Sequence, residues 1–348
     1  MLWPVSSETM TIPYPFFAGS LALFVVAIAV PRRVFATATT AAVVAVLAAG
    51  AGFFTPAPAS AAPTVAVGAF IPGVDQNPSL IDDFAAETGR PASFLVTYKD
   101  WSQAPFVADQ LDGIWNHGAV PLVTWEPYGV SLKRIARGDY DGYVWDSAWA
   151  AAAWDKPLMI RFAQEMNGDW FPWGGHPAAY KAAWRHIVGV FREAGAEKVR
   201  WIWNPYVNSR GGRLPFIKYY PGTKWVDWAG LDVINWGGSF PWRTFGQIVG
   251  DSYRQLIQLT PRPIVVAEAG SAEAGGDKAH WLATMLRRNV PRMGHVRALS
   301  FWSAADPRGD LRVDSSSAAL EAVRTALAMP LYGSSREGLL GTPARLGR

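Results

Sequence analysis

Eight short runs of β-branched or apolar residues recur along the chain, at 65–70, 94–98, 120–124, 158–162, 199–203, 231–234, 263–267 and 298–302. None alternates cleanly between apolar and polar, as expected of parallel strands buried on both faces. Stretches of helical character lie between them, among them 79–88, 178–194, 245–258 and 278–289. Strand and helix alternating in this way predict the α/β class and a (β/α)8 TIM barrel, a single domain over 62–330. The competing architecture is an open Rossmann-like sheet. Its main ligand signal is missing, because no G-x-G-x-x-G follows the first run.

The first 61 residues stand apart as a hydrophobic export segment. Residues 14–30 are almost wholly apolar, Arg32 and Arg33 interrupt them, and 34–54 form a second apolar stretch without a charge. Either stretch has the length and composition to enter a membrane. The small residues that follow fit an A-x-A cleavage site after Ala61, so 32–61 reads as a signal peptide. Taken from Met1, residues 14–54 read instead as a helical-hairpin anchor, with the Arg pair in the cytoplasm. Both readings place the barrel outside the cytoplasmic membrane, secreted or anchored to its outer face. The tail at 331–348 shows no periodicity and is expected to be flexible.

Composition narrows the chemistry. Lys and Arg number 32 against 28 Asp and Glu, and no run gathers the excess into a nucleic-acid footprint, so no nucleic-acid partner is expected. The absence of cysteine removes disulfides, thiol nucleophiles and thiolate metal sites together. The five histidines are never three to five residues apart, so no helical metal pair is legible and neither metal nor cofactor is expected. G-x-S-x-G and the phosphate-cradling G-x-x-x-x-G-K-S/T are also missing, which argues against esterase and NTPase chemistry. Tryptophan, at 18 residues, is the outlier. Flat amphipathic rings around a cleft are what sugar faces stack on.

In a barrel of this kind the chemistry sits at the carboxyl ends of the strands. Asp100, Glu126, Glu165, Asp232, Glu268 and Asp306 are the carboxylates at such places. Glu165 is followed closely by Trp170 and Trp173, and Glu268 stands at the mouth of the very apolar seventh run, before a small-residue turn. A single strand-end glutamate is as readily a salt-bridge partner or a helix cap. Two of them, with Trp125, Trp170, Trp173, Trp203, Trp236 and Trp302 all near strand ends, make polysaccharide cleavage the leading chemistry. Arg161 is placed to hold a nucleophilic carboxylate ionised, or else to form a structural ion pair beneath the mouth. Asn204 is placed to read sugar hydroxyls or to form a turn.

Arg-Phe-Ala-Gln-Glu-Met-Asn-Gly-Asp-Trp-Phe-Pro-Trp at 161–173 resembles the acid/base segment of glycoside hydrolase family 26. Val-Ala-Glu-Ala-Gly-Ser at 266–271 resembles its nucleophile segment, and the stretches at 121–127, 301–302 and 310–316 are similar to further family segments. The resemblance implies a retaining endo-β-glycanase on a barrel, most often a β-1,4-mannanase, with Glu165 as general acid/base and Glu268 as nucleophile. It also implies a sugar-binding surface at Trp302, for which Trp125, Gln164, Trp170, Trp173, Asn204 and Trp236 are further candidates. Related enzymes cut mixed-linkage β-glucan or β-1,3-xylan. Two departures stand out. Gln164 replaces the usual histidine before the acid/base, and Ile234 stands where the family commonly has a tyrosine that donates to the nucleophile. A glutamine donates but carries no charge, and an isoleucine donates nothing.

The expectation is therefore a monomeric barrel that takes polysaccharide, with a non-catalytic sugar-binding barrel and a structural role at the membrane as alternatives. A retaining mechanism requires the two carboxyl groups about 5–5.5 Å apart. Without a phenol at 234, Glu268 is expected to take its donors from Arg161, Tyr206 or Asn235.

Overall fold

The computed structural model describes residues 64–208, 214–333 and 335–340. The export segment at 1–61 and the possible anchor at 14–54 lie outside the described residues, as does 341–348 of the tail. Among the described residues no helix is long and apolar enough to cross a membrane.

Strands β1 (Val65–Phe70), β2 (Phe94–Asp100), β3 (Val120–Glu126), β4 (Leu158–Phe162), β5 (Val199–Trp203), β6 (Trp228–Asn235), β7 (Ile264–Ser271) and β8 (Val296–Trp302) run parallel, each bonded to the next. β8 pairs with β1 in turn, from Ala66↔Ala298 to Phe70↔Trp302, which closes the (β/α)8 barrel expected from the sequence. Around it lie α1 (Leu80–Thr88), α2 (Ala108–Asn116), α3 (Leu132–Ala136), α4 (Asp141–Trp154), α5 (Pro177–Glu193), α6 (Phe245–Leu259), α7 (Lys278–Thr284) and α8 (Ser317–Leu327). A short antiparallel hairpin, β9 (Ala305–Asp306) and β10 (Gly309–Asp310), lies between β8 and α8.

Alternate residues of each strand serve two cores. Phe94, Val96, Val120, Leu122, Met159, Ile202, Val265 and Ala298 fill the barrel interior. Their neighbours Leu95, Val123, Trp125, Ile160, Trp203, Val266 and Leu299 face the helical layer. Burial of each Val, Leu, Ile, Phe or Met side chain among them contributes about 1.5–3 kcal/mol. Gly68 leaves the room that Phe94 occupies, since a Cβ there would lie 2.6 Å from its ring.

The alternation slips once where it matters. Leu231 pairs with Val266, but the next residue, Asp232, pairs with Glu268, so Ala267 is an extra residue in β7. A bulge of this kind re-aims the side chain that follows it. It turns Glu268 to the interior side of a strand that runs on to Ser271, rather than ending before it at 267.

The expectation of a flexible tail is corrected over its described part. β11 (Tyr332–Gly333) pairs with β1, and α9 (Arg336–Leu340) follows. Leu339 is buried with the interior cluster, and the Arg336 guanidinium lies 3.8 Å from the centroid of the Trp115 ring. An apolar side chain that can stop an open barrel end is ordered by that burial whatever its local periodicity.

Candidate active site

The carboxyl ends of the strands surround a cleft of about 540 Å3, lined among others by Tyr98, Glu126, Gln164, Glu165, Trp170, Glu268 and Trp302. At its floor lies Arg161, wholly buried on β4. Its Nε donates to Thr124 Oγ1 at 2.9 Å and its Nη1 to Asp232 at 3.1 and 3.3 Å. Nη2 reaches Glu268 Oε1 at 2.7 Å and Tyr98 Oη at 3.0 Å. A planar guanidinium with five donors suits this position, because it serves a hydroxyl, a phenol and two carboxylates at once.

Glu268 Oε1 takes a second donor, the Tyr98 phenol, at 2.5 Å. Burial first, and then the charge of Glu268, hold the phenol well above its ordinary pKa, so it remains a donor. Trp302 Nε1 donates to the same oxygen of Tyr98 at 3.2 Å. No described residue bonds Glu268 Oε2. One oxygen is therefore fixed while the other is left to the cleft.

Glu165 follows β4 on a backbone of positive φ, 52°, two residues after Ala163 at 46°. Such conformations are unfavourable for residues with a side chain and persist where the surroundings impose them. Here the Glu165 amide donates to the Asn204 carbonyl at 2.8 Å, and Glu165 Oε2 accepts from the Trp170 indole at 2.5 Å. Burial, and after it the charge of Glu268, push the Glu165 carboxyl up to about 8; the Trp170 bond and Arg161 oppose them. Glu165, Asp232 and Glu268 each place a carboxylate oxygen within 4.8 Å of the others. Together they are the grouping of possible metal-ligand atoms among the described residues, and Arg161 supplies positive charge between Asp232 and Glu268.

The other expected residues divide. Trp170, Trp236, Trp302 and Gln164 line the cleft. Trp125 and Trp173 do not, and their assignment to substrate is corrected. Trp125 is fully buried, stacks on Trp101 at 4.9 Å and donates to Tyr143 Oη at 3.0 Å. It is the odd member of a strand whose even members point inward, so Glu126 reaches the cleft in its place. Trp173 is buried, donates to the Gln164 carbonyl at 2.7 Å and stacks on Phe171 at 4.5 Å. Trp203 is likewise buried on the helical side. Asn204 is also corrected: it is wholly buried, and its amide donates to Asp232 Oδ2 at 2.7 Å rather than to a ligand. Trp236 keeps only part of its surface, since the Arg308 guanidinium lies 3.5 Å from its ring centroid.

Of the three donors expected for Glu268, Arg161 is the one in place. Asn235 donates instead to Ser271 Oγ at 3.0 Å, and the Tyr206 ring packs on Trp170 at 5.0 Å. The donor missed in the sequence is Tyr98, which a strand run ending in Tyr at the barrel mouth would have signalled. Glu126, one of the strand-end carboxylates named from the sequence, does reach the cleft. It lines the cleft and accepts from Gln164 Nε2 at 2.6 Å, and burial raises its pKa against that bond.

Residues 149–281, a span that holds both Glu165 and Glu268, match the family described as Glycosyl hydrolase family 26. The chain is 32% identical over 275 residues to Endoglucanase H of Acetivibrio thermocellus, covering 75% of this chain and 30% of that protein. It is 26% identical over 279 residues to Mannan endo-1,4-beta-mannosidase A and B of Caldalkalibacillus mannanilyticus, covering 66% of this chain and 51% of that one. The chain thus spans about half or less of these relatives' length. Its fold is shared with a modular endo-beta-1,4-mannanase from Cellulomonas fimi, with a TM-score of 0.62 at 17% identity over 82% of this chain and 75% of that chain. With a closed barrel, paired glutamates at its mouth and this match across both of them, the chain belongs to glycosyl hydrolase family 26.

Proposed function

We propose that the barrel is a retaining endo-β-glycanase acting on β-1,4-mannan. The observation that carries this is the pairing of a carboxyl that keeps its proton at neutral pH, Glu165, with an anchored carboxylate, Glu268, within 4.8 Å. So close an approach of one oxygen from each group suits direct attack, since an inverting pair holds its carboxyl groups about 6.5–9.5 Å apart to admit a water.

Glu268 Oε2 attacks the anomeric carbon while Glu165 gives its proton to the departing glycosidic oxygen. Glu268 loses its charge as the ester forms, which removes one of the two causes that raise the Glu165 pKa. Glu165 is then a base, and it takes a proton from the water that frees the sugar. Tyr98 and Arg161 hold Oε1 throughout. The chemistry described uses these side chains alone.

A second reading is β-glucan as substrate, favoured by the higher identity to a relative named as an endoglucanase. Incubating the protein with mannan, mixed-linkage glucan, cellulose and xylan, and measuring new reducing ends, decides between them. Turnover of none would leave a sugar-binding barrel. We infer also that the barrel works outside the cytoplasmic membrane as a monomer, supported by the apolar stretches ahead of it and by a polymer substrate. Protease added to intact cells with an accessible membrane should degrade it, and full protection would overturn this.

A further inference from the structure

Lys278 opens α7 and is 1% exposed, yet no carboxylate touches its ammonium group. Its three protons go to the Asp310 carbonyl at 3.0 Å, the Arg312 carbonyl at 2.7 Å and Ser315 Oγ at 2.6 Å. All three acceptors belong to one segment, 303–316, which joins β8 to α8. A buried lysine costs desolvation, and burial lowers this one to about 8, against the charges of Glu273, Asp310 and Asp314. An apolar residue would fill the same space without that cost. The ammonium therefore serves the segment it binds.

That segment forms one wall of the cleft. It carries Arg308, which Asp306 grips through Nε at 2.7 Å and Nη2 at 2.9 Å, and which lies flat over Trp236. Gly309 fits against Ala272, where a Cβ would come within 2.6 Å, and Leu311 is buried with Ile234 and Ala272 beside Trp236 and Trp302. Beyond the two residue pairs of the β9–β10 hairpin, the segment has no ladder to either neighbour. Ser315 extends the arrangement by donating to Glu273 Oε1 at 2.7 Å, so the Lys278 charge is answered through a hydroxyl on the far side.

We propose that Lys278 is a positioning residue: it latches segment 303–316 to α7 and thereby sets the Arg308–Trp236 wall against which a polymer binds, outside the reacting pair. The part that concerns polymer binding rests on the glycanase reading above, and the latch itself does not.

The test is Lys278→Met in the full chain. Backbone amides of 303–316 should exchange with deuterium about tenfold faster or more, the scale of one charge-assisted hydrogen bond, while the barrel strands keep their protection. KM for the polymer should rise by a similar factor, with kcat for a short activated aryl glycoside held near that of the parent. On an Arg308→Ala background the substitution should raise KM no further, because both act through one wall. Ser315→Ala, which removes one acceptor and leaves the ammonium with the Asp310 and Arg312 carbonyls, should move exchange and KM in the same direction, and it serves if Lys278→Met does not fold. Unchanged exchange at 303–316 overturns the latch, and faster exchange with unchanged KM overturns its role in the cleft. If the parent cleaves no β-glycan, the glycanase reading fails and the exchange measurement still decides the latch.

Discussion

The Tyr98 phenol donates to Glu268 Oε1 at 2.5 Å across 170 residues of chain, from the second strand to the seventh. It also accepts from Arg161 and Trp302, so its oxygen uses its full bonding capacity. Tyr98→Phe deletes one of the two donors on Glu268, the proposed nucleophile. Hydrogen bonds to charged groups contribute about 1.5–3 kcal/mol, so kcat/KM should drop about 10- to 100-fold. A loss below twofold in steady-state kinetics would remove Tyr98 from the site.

As the proposed general acid, Glu165 should set the alkaline side of the pH profile. The acid must hold its proton, so kcat/KM should be level to about pH 8 and fall tenfold per unit above it. The Trp170 bond lowers the Glu165 pKa, so Trp170→Phe should move that limb to higher pH. A limb that stays in place would mean that another group is titrating.

The same carboxyl has a consequence for stability. Its pKa is raised in the folded state, so the folded protein binds more protons and stability falls as pH climbs from about 4.5 to about 8. Glu165→Gln should abolish activity on polymer and melt higher than the parent at pH 9. At pH 5 the two melting temperatures should converge. Equal differences at both values would show that the substitution acts by packing alone.

Arg161 is worth most as a cation among acids. Arg161→Met leaves Asp232 and Glu268 facing each other without it, and breaking a buried pair in this way costs about 3–5 kcal/mol. Denaturant unfolding at pH 7 measures this. A loss under 1 kcal/mol would mean that water already screens the cluster.

The tryptophans should separate by position. Trp302→Ala, at the cleft, should raise KM about 3- to 10-fold with little change in stability, the scale of one stacked ring. Trp125→Phe should leave KM alone and cost about 1–3 kcal/mol of stability. The reverse result would restore Trp125 to the substrate.

Much of this was legible in the sequence. Each strand core is an apolar run that only burial on both faces explains, and eight of them separated by amphipathic stretches admit few closed arrangements. The glutamates were found because side chains at strand ends of a barrel have one place to go. What the sequence left open was orientation. One residue of offset decides whether Trp125 or Glu126 reaches the cleft, and strand boundaries read from composition do not carry that precision. The Ala267 bulge reverses the alternation just before Glu268, and it arises from pairing with β6, which no local pattern encodes. The partners of Tyr98 and Lys278 were hidden for the same reason, since they lie in distant segments that closure of the barrel alone brings together. The tail was misread because its order comes from a hole at the end of the barrel that Leu339 fills. The amino-acid pattern determined which segments are strands and which acids stand at their ends; tertiary pairing decided which side chains face the cleft, because register and closure are properties of contacts between strands.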